Sequence, residues 1–155
     1  MNRVSHTIEL AAPVHEVFAF YTDPANVEKM APPELHARLL KADNPLRLGS
    51  RVLFAIRPKM VPFELKWVLE IAEFEEDRLF VDRLRKGPFA HWVHRHFFEE
   101  VGRDRTRLTD EIEFGAPVPF LTWIVRRGFV QERLRELFAY RERVLRQRFE
   151  RHRGG

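Results

Sequence analysis

The chain reads as an α+β protein in which a curved antiparallel sheet packs against one long C-terminal helix. Three observations predict this. Apolar and polar residues alternate in most segments between residues 4 and 114, which is the period of strands. From 120 to 149 the apolar residues recur at helical spacing instead. Finally, strands come in a run and a helix closes the chain, without the strand–helix–strand alternation that builds parallel sheets.

Val4, His6, Ile8 and Leu10 alternate with Ser5, Thr7 and Glu9, giving a first strand over 4–10. Ala11-Ala12-Pro13 stops it, and Pro13 suits the first position of a helix over 13–21 that buries Val14, Val17, Phe18 and Tyr21. Asp23 then caps a second short helix, with Pro24 in its first turn and its end near Met30. Ala31-Pro32-Pro33 breaks that helix, and a short strand is expected over 35–41. Five further strands follow, at 51–57, 63–74, 78–84, 89–99 and 106–114.

Their inward phases read Val52/Phe54/Ile56, Phe63/Leu65/Trp67/Leu69/Ile71, Phe80/Leu84, Trp92/Phe98 and Leu108/Ile112/Phe114. Turn lengths test those phases, because a slip of one residue moves every side chain to the other face. A two-residue turn at Glu76-Asp77 pairs Ile71 with Asp82. A three-residue turn at Lys86-Gly87-Pro88 pairs Asp82 with Trp92 and Phe80 with His94, and an odd loop centred on Arg103 pairs His96 with Asp110 and Trp92 with Phe114. All three keep the phases on one face.

The closing helix, about 40 Å long at 1.5 Å per residue, carries Trp123, Val130, Leu134, Leu137, Phe138 and Leu145 on one stripe. Arg126, Glu132, Arg135, Glu136, Arg143 and Arg146 lie opposite. Gly128 falls in the helix interior, where glycine costs about 1 kcal/mol against alanine, so a bend or thin spot beside a cavity mouth is expected there. Arg127 and Arg141 project onto the apolar side, so either the stripe is imperfect or it borders a space that is not fully packed.

The 155 residues are read as one domain over 1–155, with 146–155 a basic, frayed tail. At 45% hydrophobic and 32% charged, the composition is that of a globular protein rather than a disordered one. The net charge of +4 sits largely in the Arg-rich helix end, where it complements the helix dipole, and no nucleic-acid partner is expected. Without cysteine there is no disulfide or thiolate chemistry. The polar start and the lack of a long apolar run give a cytoplasmic expectation. G-x-G-x-x-G, P-loop, H-E-x-x-H and G-x-S-x-G patterns are absent, and serine occurs only at Ser5 and Ser50.

The register places His6, Asp82, His94, His96 and Asp110 on the inward face. Three readings of this group are open. His94 and His96, two apart on a strand, can share a metal ion with Asp110 or His6, although H-x-H by itself lacks a clear third and fourth ligand. His96 and Asp110 can form a His–carboxylate pair for acid–base chemistry. Otherwise these residues satisfy one another's hydrogen bonds on a partly buried face.

Val17-Phe18, Pro24-Ala25-Asn26, Pro32-Pro33-Glu34-Leu35, Trp67, Phe80-Val81-Asp82, Gly87-Pro88-Phe89, Trp92-x-His94-x-His96-x-Phe98, Thr106-x-Leu108-x-Asp110 and Phe138-x-Tyr140-Arg141 together resemble the bacterial polyketide cyclase/dehydrase-like, ligand-binding branch of the START/SRPBCC superfamily. The resemblance spans nearly the whole chain. It implies a helix-grip fold: a seven-stranded antiparallel sheet wrapped around the long C-terminal helix, with two short helices between strands 1 and 2 and an elongated apolar cavity. It implies no established active site, because the superfamily includes lipid carriers, hormone receptors, cyclases and quinone-binding proteins.

The function expected is binding of a small hydrophobic or aromatic ligand (lipid, polyketide-like or quinone-like) between sheet and helix, as carrier or sensor. The alternative is a cofactor-independent cyclase or dehydratase with His94, His96 and Asp110 as its acid–base residues. Residues expected to line the site are Phe54, Trp67, Phe80, Trp92, His94, His96, Asp110, Phe114, Val130, Leu134, Phe138 and Arg141. Neither a cofactor nor a metal is expected. A transient membrane contact through the Arg-rich end and a monomeric or homodimeric state complete the expectations.

Overall fold

The computed structural model describes residues 2–122 and 128–150. Seven strands, β1 (Asn2–Leu10), β2 (Arg38–Ala42), β3 (Arg51–Ile56), β4 (Leu65–Glu75), β5 (Leu79–Lys86), β6 (Trp92–Gly102) and β7 (Arg105–Phe114), form one antiparallel sheet. Their spatial order is β1-β7-β6-β5-β4-β3-β2, so the first strand returns to pair with the last. Helix α1 (Val14–Tyr21) buries Val17, Phe18, Phe20 and Tyr21. A short α2 (Pro119–Thr122) precedes α3 (Phe129–Glu150), which lays Leu134, Phe138 and Leu145 against the inner face of the sheet. This is the α+β, helix-grip arrangement expected.

Several expectations are corrected. The closing helix is not one rod from 120: α3 begins at Phe129, and Gly128 stands just before it with φ of 82°, its carbonyl accepting the Glu132 N–H. Gly128 thus opens the helix instead of interrupting it. Trp123, Arg126 and Arg127 lie outside the described residues. Residues 146–150, read as frayed, form the last turns of α3, where Arg146 donates to the Glu9 carbonyl and to Glu150; residues 151–155 lie outside the described residues.

The second short helix is only a 3-10 turn, Pro24–Asn26, capped by Asp23 through the Ala25 N–H. Another 3-10 turn, Pro33–Leu35, takes the start of the expected second strand. Phe63 is not inward on a strand: β4 starts two residues later, and Phe63 is 43% exposed.

The β5–β6 register differs by two residues from expectation, pairing Phe80 with His96 and Asp82 with His94. The connection is longer than three residues because Phe89 bridges to Pro117 and the Val118 N–H donates to the Pro88 carbonyl. An even shift preserves the face. The other two turns pair as expected, Ile71 with Asp82 and His96 with Asp110.

The core falls into two apolar clusters. One gathers Phe18, Tyr21, Phe80, Phe98, Leu108, Ile8 and Leu145; the other gathers Val4, Ile112, Phe114, Leu134 and Phe138, with Trp92 and Phe89 packed on it. Along β1, β7 and β6 the inner face passes from one cluster to the other through polar residues. On β1 this is His6 between Ile8 and Val4, on β7 Asp110 between Leu108 and Ile112, and on β6 His96 and His94 between Phe98 and Trp92. α3 repeats the pattern, with Arg141 and Glu142 between Phe138 and Leu145. A polar band therefore crosses the core.

Candidate functional site

The centre of the band is Asp110 on β7, 3% exposed. Its Oδ1 accepts from His94 Nε2 and from His96 Nδ1, each at 2.8 Å, and its Oδ2 accepts from the Tyr21 hydroxyl at 3.2 Å. His96 also donates Nε2–H to Asp82 Oδ2 at 2.8 Å. The strands explain the convergence. His94 and His96 sit two apart on β6, Asp82 lies opposite His94 on β5, and Asp110 lies opposite His96 on β7. Tyr21 comes from the last turn of α1, which packs on the same face.

Burial alone would raise the Asp110 carboxyl, but the bonds from His94 and His96 hold it far below the ordinary carboxylate range. Asp82 is likewise penalised by burial and still lowered, first by the His96 bond. For His96, burial is outweighed by its bonds to Asp110 and Asp82, and the ring is raised, with a carboxylate on each side. His94 is lowered, by burial and then by the charge on His96, so it is neutral. Its Nε2–H is committed to Asp110, which fixes the tautomer and leaves the lone pair on Nδ1. Burial and the Asp110 charge push the Tyr21 hydroxyl up, keeping it protonated and donating.

Arg141 turns towards this group. Its guanidinium carbon lies 5.9 Å from the centre of the Tyr21 ring, and its Nε is buried without a hydrogen-bond partner among the described residues. Despite burial its charge is favoured by Tyr21, Asp110 and Asp82. His6 stacks on Phe138 with ring centres 5.4 Å apart. Its Nε2 is 3.3 Å from Glu142 Oε1 but lacks the geometry of a hydrogen bond.

On the side of the band nearer the start of α3 stands an aromatic wall. Phe54 stacks on Trp67 at 5.6 Å, Trp67 meets Trp92 edge-on at 4.9 Å, and Trp92 lies 5.9 Å from Phe114. Val130, Leu134 and Phe138 share the Phe114 cluster. Phe80 stands apart from this wall, stacked on His96 at 4.0 Å in the other cluster. The Trp67 Nε1–H is buried and has no acceptor among the described residues. Two surface hollows, about 480 and 590 Å³, open beside Val61 and between α1 and Phe149; neither touches the polar band or the wall.

Asp82, Tyr21 and Phe89 join the site without being among the lining residues that the sequence suggests. Asp82 falls on the inward face, and a carboxylate there demands a partner, so its role has a signal. Tyr21 has none beyond its apolar phase. Among the described residues, Asp82, His94 and His96 are also one of two groups of His, Asp and Glu that bring ligand atoms within 4.8 Å of one another; the other, His15, Glu76 and Asp77, is at the surface.

The family model for polyketide cyclase/dehydrase and lipid transport proteins matches residues 1–150. A Thermus thermophilus protein superposes with a TM-score of 0.72 at 16% identity, covering 97% of this chain and 99% of that one. A START superfamily protein from Mycobacterium smegmatis gives 0.70 at 18%, over 96% and 97% of the two chains. Truncated norcoclaurine synthase from Thalictrum flavum gives 0.63 at 13%, over 94% and 91%. At these identities the likeness is one of fold. No curated protein matches the chain. No helix among the described residues is long and apolar enough to cross a membrane.

Proposed function

The chain belongs to the polyketide cyclase/dehydrase and lipid transport family of the START/SRPBCC superfamily, and from that premise we propose that it binds a small hydrophobic or aromatic molecule between the inner face of the sheet and α3, as carrier or sensor. The observation that carries this reading is Trp67, whose indole N–H is buried without an acceptor among the described residues, in the middle of the aromatic wall. Such a donor costs about 1–3 kcal/mol, and a ligand oxygen at that point relieves it while the rings of Phe54, Trp67 and Trp92 take the apolar body. Asp82 and Asp110 favour binding over turnover, because both are engaged by neighbouring side chains.

The test uses 1-N-phenylnaphthylamine, an uncharged aromatic whose fluorescence rises on transfer from water. The wild type should show saturable uptake. Leu134→Trp fills the space beside Phe114 and Phe138 and should abolish uptake, with circular dichroism and melting temperature retained. Absence of uptake by the wild type, or its survival in the folded variant, removes the basis for the reading.

One observation supports the cyclase or dehydratase alternative. His94, held by Asp110 through Nε2–H, keeps on Nδ1 the lone pair a general base needs. On that reading His94→Gln abolishes turnover of a polyketide-like substrate while leaving dye uptake intact.

A further inference from the structure

The Nδ1 of His94 has no hydrogen-bond partner among the described residues, although only 7% of the residue is exposed. We propose that Asp82, His94 and His96 form a binding site for one first-row divalent cation, coordinated by two imidazole nitrogens and a carboxylate oxygen.

Each of the three supplies a ligand atom within 4.8 Å of the other two, and all are more than nine-tenths buried, at 7%, 7% and 4% exposed. Small side-chain rotations suffice to bring such atoms to the roughly 2.0–2.2 Å bonds of a nitrogen- and oxygen-ligated ion. The hydrogen bonds decide which lone pairs face it. Asp110 takes the Nε2–H of His94 and the Nδ1–H of His96, so Nδ1 of His94 is left for the ion, and Nε2 of His96 joins it once the proton it now donates to Asp82 Oδ2 is displaced. A carboxylate that receives the other N–H of each ligating histidine is the outer support such sites use to fix the tautomer and orient the ring. Here one aspartate supports both rings and is itself held by the Tyr21 hydroxyl. The surface trio of His15, Glu76 and Asp77 has no such support, since His15 is turned onto Asp77 itself.

Two imidazoles and one carboxylate select zinc, iron(II), cobalt or nickel over calcium and magnesium, which prefer all-oxygen shells. Binding exchanges the proton between His96 Nε2 and Asp82 for the ion, and that proton leaves to solvent. Asp82 and Asp110 then balance the two positive charges, while Arg141 adds a third. That surplus draws an anionic oxygen to a coordination position the three protein ligands leave open. An ion on Nδ1 removes that nitrogen as a general base, so the proposal and the His94-base reading exclude each other.

The experiment is equilibrium dialysis of chelator-stripped protein against Zn²⁺, read by elemental analysis, together with Co²⁺ titration read in the visible. No apolar ligand is present, so failure of ion binding does not bear on the ligand reading. One equivalent of Zn²⁺ per chain is expected, with Co²⁺ giving visible absorption bands. Asp110→Asn should weaken binding roughly 10- to 100-fold, His94→Gln should abolish stoichiometric binding, and His15→Ala should leave it unchanged. Stoichiometric binding that survives His94→Gln, or is lost in His15→Ala, overturns the proposal, as does a wild type that binds no equivalent. If His94→Gln does not fold, the Co²⁺-loaded wild type decides: strongly shifted proton resonances from two imidazoles are expected, and their absence overturns the assignment.

Discussion

Asp110 shows how much one buried carboxylate can organise. It accepts three hydrogen bonds, from β6 twice and from α1 once, and so ties the helix to the sheet through its own ionisation. Asparagine at this position keeps the shape and one acceptor oxygen. It removes the charge, however, and sets an amide N–H₂ where the Tyr21 hydroxyl now donates. His96 then keeps Asp82 as its one carboxylate partner, and Arg141 loses one of the two buried aspartates that favour its charge. Breaking a buried pair on one side costs about 3–5 kcal/mol, more than the loss of a neutral hydrogen bond. Urea denaturation of metal-free Asp110→Asn should therefore show a loss of about 3 kcal/mol with an unchanged slope. A loss below about 1 kcal/mol, the worth of a neutral hydrogen bond, would mean that Asp110 carries no ion pair.

At the scale of elements, the start of α3 rests on a single backbone conformation. Gly128 has φ of 82°, and an added Cβ would meet nothing within 4 Å, so substitution is penalised by the backbone and not by packing. Gly128→Ala should cost about 1–2 kcal/mol, measured by thermal or urea unfolding, and Gly128→Asn less, since asparagine tolerates this region better. An alanine variant as stable as wild type would contradict the assigned conformation. The same residue shows what a linear pattern conveys. Trp123, Val130 and Leu134 continue one helical period, and a period carries no trace of a left-handed residue within it, so Gly128 reads as a costly helix interior. Strand identity and facing were legible because alternation is local, and His96–Asp110 pairing followed from a turn length. The β5–β6 connection was not, because Gly87-Pro88 resembles a tight turn while Phe89 and Pro88 are bonded to residues nearly thirty positions later. Tyr21 joined the site only through helix packing, which no single segment encodes.

Across the whole molecule, the polar band separates two apolar clusters that do different work. The cluster around Leu145, Phe98 and Phe18 is closed by α1 and the end of α3, and it holds the sheet, α1 and α3 together. The cluster around Leu134, Phe138 and Phe114 adjoins the aromatic wall, where the ligand is proposed to lie. Leu145 and Leu134 sit three turns apart on α3, on opposite sides of Arg141 and Glu142. Leu145→Ala removes a side chain that is 1% exposed and should cost about 2–5 kcal/mol, while uptake of phenylnaphthylamine by the folded fraction stays within about twofold, since an unperturbed site implies less than half a kcal/mol. Adding Leu134→Trp closes a double-mutant cycle. Residues separated by more than about 7–10 Å without shared partners combine additively to within about 0.5 kcal/mol, so a coupling of that size or smaller is expected from urea midpoints. A coupling well above about 1 kcal/mol, the mark of residues that share a cavity or network, would show that strain passes through His94, His96 and Asp110, and that the band joins the two halves of the core rather than dividing them.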